Sequence, residues 1–104
     1  MMKKGAVSWQ DPDVLALVGE VDFDTVTDVR QAGEKLIDQA SSSFLVDLGG
    51  LTSAHSVVLS LLVRWVAHAQ RQDKTFEIRS MPTKLFDVAR VSGVETILPL
   101  VSEP

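Results

Sequence analysis

Cysteine is absent from this chain, which removes disulfide scaffolds, thiolate zinc sites, iron–sulfur clusters and thiol catalysis together. A basic cluster is missing as well. Ten Lys/Arg stand against fourteen Asp/Glu, for a net charge of −4 and a pI near 5.0. With its cations scattered, the chain has no general attraction to phosphate backbones, and nucleic acid is not an expected partner. Long apolar runs are also lacking. The most apolar stretch, Val57 to Ala69, is broken by Ser60, Arg64 and His68 and falls short of the roughly 20 residues that span a bilayer. The start, Met1-Met2-Lys3-Lys4-Gly5, has no apolar run behind its charges, unlike a secretory signal, and neither end carries a lipidation motif. These features lead us to expect a cytoplasmic protein.

What is present suits one domain. The chain has 104 residues and 11.4 kDa, with 45% hydrophobic and 23% charged residues, the balance of an ordinary globular fold. Ala6-Val7-Ser8-Trp9 and Val14-Leu15-Ala16-Leu17-Val18 read as an antiparallel hairpin around the turn Gln10-Asp11-Pro12-Asp13. Asp22-Phe23-Asp24-Thr25 opens a helix in which Val26, Val29, Gly33, Leu36 and Ile37 recur at helical spacing. Phe44 to Leu48 is a buried-type strand. An apolar helix from about Ser56 to Arg71 follows, then an alternating strand, Thr75 to Arg79. Met81-Pro82-Thr83 starts a third helix that Gly93 ends, and Thr96-Ile97-Leu98 suggests a last short strand. The order β-β-α-β-α-β-α-β predicts an α/β layer domain. Its sheet is mixed but mostly parallel, with an N-terminal hairpin and about three packed helices. Three helices do not readily cover both faces of so small a sheet.

The junction Asp47-Leu48-Gly49-Gly50-Leu51-Thr52-Ser53-Ala54-His55-Ser56 is the first candidate site. A strand ends in a carboxylate, a loop of small residues follows, and a serine lies at a helix N-terminus, where free N–H groups favour an anion. Phosphorylation of Ser56 would add nearly two negative charges there. A capping serine and a turn made by Gly49-Gly50 account for the same residues. The junction lacks the GKS/GKT ending of a phosphate-binding loop and the G-x-S-x-G setting of a nucleophilic serine. His55 and His68 have no i, i+4 partner for a metal. The acidic group from Asp11 to Asp28 lacks calcium-loop spacing. No cofactor or metal is expected.

The helix after the junction is apolar around most of its circumference. Leu59, Leu62, Val63 and Val66 supply the one stripe that a sheet requires, and Val58, Leu61 and Trp65 form a neighbouring arc. Either flanking helices cover that arc, or it reaches the surface as a docking patch with Trp65 as an anchor.

Together these residues resemble the STAS domains of sulfate transporters and anti-sigma-factor antagonists. That family has a strand ending Asp-Leu-Ser, a short loop, then Asp-Ser-Ser/Thr-Gly-Leu opening a helix. Asp47-Leu48-Gly49 and His55-Ser56-Val57-Val58-Leu59 stand at the matching spacing. The resemblance runs from about Val7 to Leu98 and implies a STAS-like (SpoIIAA-like) α/β fold, a single domain over residues 1–104. Ser8-Trp9 and the run Leu15 to Asp22 look most like the small STAS subunit of a phospholipid ABC transporter.

That resemblance implies a non-enzymatic accessory subunit that docks the transporter's ATPase subunit. The complex would include permease and substrate-binding subunits and maintain outer-membrane phospholipid asymmetry. The chain itself would be cytoplasmic, held at the inner membrane through its partners without inserting. The alternative is an anti-sigma-factor antagonist switched by a kinase that phosphorylates Ser56. In either case Ser56 carries the contact. Thr52, Ser53, Ala54, His55, Val57, Val58, Leu61 and Trp65 are expected around it, on a loop supported by Asp47, Gly49 and Gly50. His55 departs from the family's acidic residue, and Val57-Val58 from its Ser/Thr-Gly. Two branched side chains beside the serine would hinder a kinase and favour a permanent apolar interface.

Overall fold

Alternation along the strands decides which face of the sheet the helices cover. The computed structural model describes residues 4–52 and 55–101. Strands β1 (Ala6–Asp11), β2 (Val14–Val18), β3 (Ser43–Asp47) and β4 (Thr75–Arg79) form one sheet in the order β1-β2-β3-β4. β1 and β2 make the antiparallel hairpin, whereas β2–β3 and β3–β4 are parallel, with Leu15 opposite Val46 and Val46 opposite Ile78. The parallel pairs are joined by crossover helices α1 (Val26–Asp38) and α2 (Ser56–Gln70), and α3 (Thr83–Ser92) follows β4. Leu15, Leu17, Phe44, Val46, Phe76 and Ile78 point into one core shared with all three helices. Ala16, Val18, Leu45, Asp47, Glu77 and Arg79 point the other way, onto a face that no described helix covers.

Aromatic contacts tie the inner face together. Phe44 stacks on Phe76 at 5.2 Å, and Trp9 meets Phe44 edge-on at 6.2 Å, geometries that suit the ring quadrupoles. Asp22 prepares α1: its Oδ1 accepts the Thr25 N–H and hydroxyl at 3.0 and 3.1 Å and the Asp24 N–H at 3.0 Å. The Thr25 hydroxyl is the main reason that this carboxyl lies below its ordinary value of 3.8.

The seam between α1 and α2 settles where the apolar surplus of α2 goes. Val58, Leu61 and Trp65 are all buried, with Trp65 fully enclosed. The indole lies so close to Gly33 of α1 that a Cβ there would overlap the ring, and its Nε1 donates to the Arg30 carbonyl at 3.1 Å. Burying an indole removes roughly 200 Å² from water, worth about 5 kcal/mol at ~25 cal/mol per Å². The expectation that Val58, Leu61 and Trp65 serve as exposed anchors is therefore corrected, because α1 packs over that arc. Val57 is buried with them.

Three boundaries also differ from the sequence reading. β1 continues through Asp11, absorbing an irregularity in register between Trp9 and Asp11. Pro82 is the N-cap of α3 rather than a residue of its first turn. No strand forms at Thr96–Leu98: a 3-10 turn, Val94–Thr96, follows Gly93, whose φ of +79° ends α3 in the left-handed region. The chain joins the sheet edge later, by a parallel bridge between Leu100 and Ile78, with the Ile78 N–H donating to the Pro99 carbonyl at 2.8 Å.

Candidate functional site

Asp47 fixes the start of the junction. Its Oδ1 accepts the Gly49 N–H at 2.6 Å and its Oδ2 accepts Arg79 Nε at 2.9 Å, so both oxygens are engaged. A turn closes from the Leu51 N–H to the Leu48 carbonyl at 3.0 Å. The loop is then stapled to the end of β2: the Gly19 N–H donates to the Gly50 carbonyl and the Thr52 N–H to the Gly19 carbonyl, each at 2.9 Å. Gly50 is required by contact, since a Cβ there would stand 2.7 Å from Val18 Cγ1. Thr52 is exposed, and Ser53 and Ala54 lie outside the described residues.

His55, extended at φ −73° and ψ 140°, occupies the N-cap of α2 and makes no side-chain cap bond. Ser56 is thus the first helical residue and not the cap. Its side chain is exposed and makes no hydrogen bond among the described residues. The His55 ring faces Glu20, with Nε2 3.8 Å from Oε1, and its charge adds slightly to the lowering at Asp22. Asp47, His55 and Ser56 are not linked as acid, base and nucleophile, because Asp47 is held by Arg79 and Gly49 and His55 faces Glu20.

Val58 turns fully inward and Val57 is largely buried, its remaining surface lining a groove beside the helix, so neither projects over the Ser56 hydroxyl. The exposed line of α2 consists instead of Ser56, Ser60 and Arg64, at i, i+4 and i+8. A shallow groove on one side is lined by Leu59, Val63, Ser92 and Val94, and another on the opposite side by Val26, Arg30, Val57 and Leu61. Ser60 and Arg64 border both grooves. Val91, at the end of α3, is 87% exposed. The sequence reading missed this ridge, although Ser60 and Arg64 are two of the residues that interrupt the apolar run.

Elsewhere, Asp38 Oδ1 is shared by His68 Nε2 at 2.8 Å and Gln72 Nε2 at 2.6 Å, which fastens the C-terminal ends of α1 and α2 together. Among the described residues, no group of three His, Cys, Asp or Glu side chains could hold a metal ion, and no helix is long and apolar enough to cross a membrane.

Solved structures share this architecture. A chain of the Acinetobacter MlaFEDB complex in an ATP-bound conformation superposes with a TM-score of 0.80 at 24% identity, over 92% of this chain and 99% of that one. An anti-sigma factor antagonist from Mycobacterium paratuberculosis gives 0.72 at 19% identity, over 96% and 86%. SpoIIAA in its unphosphorylated form gives 0.70 at 14% identity, over 96% and 90%. The class is therefore the STAS, or SpoIIAA-like, fold. A family model described as "Mlab, STAS domain" matches residues 6–101. The chain belongs to this MlaB-type STAS family. No curated protein matches it in sequence.

Proposed function

We propose that this chain is a single-domain, non-enzymatic accessory subunit that docks the ATPase subunit (MlaF-like) of an ABC transporter. That complex would maintain outer-membrane phospholipid asymmetry, with the chain peripheral at the inner membrane through its partners. The observation that carries the reading is Ser56: an exposed first-turn hydroxyl, without a hydrogen-bond partner among the described residues, inside a chain matched along residues 6–101 by the MlaB-type family model. Thr52 and His55 are exposed beside it. Ser53 and Ala54 belong to the same proposed contact, on the loop held by Asp47, Gly49 and Gly50. Val57, Val58, Leu61 and Trp65 act from within, keeping α2 in place against α1.

Docking works by differential affinity. A subunit that binds the ATPase more tightly in its assembled, productive conformation shifts the population toward that conformation without chemistry of its own. Ser56→Trp places bulk at the centre of the contact. Co-purification with the ATPase subunit is expected to fall at least about tenfold, as at interface hot spots, with the melting temperature unchanged. Undiminished co-purification of this variant would remove Ser56 from the interface.

A second reading is favoured by the accessibility of the Ser56 hydroxyl, which the inward-turned Val57 and Val58 leave open. Phosphorylation by an anti-sigma kinase would then switch partner binding. Stoichiometric phosphate on Ser56 in cells, with a kinase and no ATPase recovered alongside, is the result that would select this reading.

A further inference from the structure

Charge is divided unevenly along the chain. Residues 56–93 carry six Lys/Arg against three Asp/Glu, whereas residues 1–55 carry four against nine. Helix α2 contains no acidic residue at all, and Arg64 is its one Lys or Arg. Arg64 is exposed and makes no ion pair or hydrogen bond among the described residues. Arg30, the other cation bordering these grooves, is already paired with Glu34 at 3.0 Å. The uncommitted charge of Arg64 therefore stands on the ridge between two shallow grooves, two helical turns from Ser56. At ~1.5 Å rise per residue that separation is about 12 Å.

We propose that the α2 ridge receives an acidic, partly apolar segment of the ATPase subunit. Such a segment would set an apolar side chain against Leu59, Val63 and Val94 and a carboxylate against Arg64. This rests on the ATPase-docking reading above and adds the chemistry of the partner surface. Ser56 contributes a close-fitting neutral contact, and Arg64 fixes register and speeds encounter, the two effects that charge complementarity gives an interface. A segment with lysine or arginine at the corresponding position is rejected, since like charges would meet. The acidic N-terminal half of the chain, with Asp24 and Asp28 exposed, repels that same segment and so restricts it to α2.

The test is isothermal titration of the purified full-length chain against the purified ATPase subunit from the same organism, at low and high salt. The wild type is compared with Arg64→Glu, Arg64→Lys and Ser56→Trp, each checked by thermal melting. Arg64→Glu is expected to weaken binding at least about tenfold at low salt, and Arg64→Lys to stay within about threefold of wild type. High salt is expected to weaken the wild type and to strengthen Arg64→Glu, whose like-charge repulsion it screens, so that the two converge. If Ser56→Trp abolishes binding while Arg64→Glu binds like wild type at both salt concentrations, the charge contact is overturned and docking stands. If wild type binds and neither variant alters binding, the α2 ridge is overturned as the contact; if wild type does not bind, the docking reading itself fails.

Discussion

Two surfaces of this domain lie uncovered by its described elements, the outer face of the sheet and the ridge of α2, and they differ in how their polar groups are used. On the sheet, Asp47 is consumed by Arg79 and the Gly49 N–H, and Ser8, Ala16 and Val18 present small side chains beside it. On the ridge, Ser56 and Arg64 have no partners among the described residues and stand next to apolar grooves. The Asp47–Arg79 pair, already closed on itself, gains little by recruiting a partner, although Glu77 on the same face is exposed and has no ion-pair partner among the described residues. A surface that displays an unpaired hydroxyl and guanidinium beside apolar area gains both contacts and area. The same helix also divides its surface, since its inner side carries Trp65 and the α1 seam, and its outer side carries the contact proposed above.

The largest expected effect separates those two sides. Trp65→Ala empties the space over Gly33 and is expected to destabilise the fold by about 3–5 kcal/mol, measured by chemical denaturation. Any residual folded fraction should still bind the partner through the ridge. A loss below 1 kcal/mol would mean that the seam is not the stabilising contact. Asp47→Ala tests the satisfied surface. It removes one charge-assisted bond to Arg79 and one to a backbone amide, and should cost about 2 kcal/mol, with partner affinity falling less than for Ser56→Trp because Asp47 supports the loop without lying on the ridge.

A smaller effect concerns the far end of the seam. The Asp38 carboxyl lies below its ordinary value of 3.8, chiefly through the Gln72 amide and then His68. A lowered value in the folded state means that these bonds stabilise fully above the ordinary carboxylate range and are lost as pH falls through the lowered value. Melting temperatures recorded across acid pH should therefore decline more steeply for wild type than for Asp38→Asn. Parallel curves would assign no role to this carboxylate.

Most of the architecture was legible because it rests on local signals. The hairpin, three helices and parallel order follow from runs and punctuation such as Asp11-Pro12 and Gly93. The ends were less legible. Thr96-Ile97-Leu98 has strand-like residues, yet the sheet edge takes up Leu100 because the 3-10 turn after Gly93 uses the preceding residues. In the site, Ser56 was found from its spacing to Asp47. The misplacement of Val58, Leu61 and Trp65 was a tertiary matter: periodicity marks an apolar arc but not which helix covers it, and Gly33, the residue that admits the indole, lies on α1. Ser60 and Arg64 were visible only as interruptions of an apolar run. That they form, with Ser56, an outward-facing line along α2 required the tertiary structure.

The most direct test of the account is hydrogen–deuterium exchange of the full chain, free and bound to the ATPase subunit. Slower exchange is predicted in peptides covering residues 55–64 and 91–97, with peptides from β1 and β2 unchanged. Protection confined to β1 and β2, with residues 55–64 exchanging as in the free chain, would contradict it.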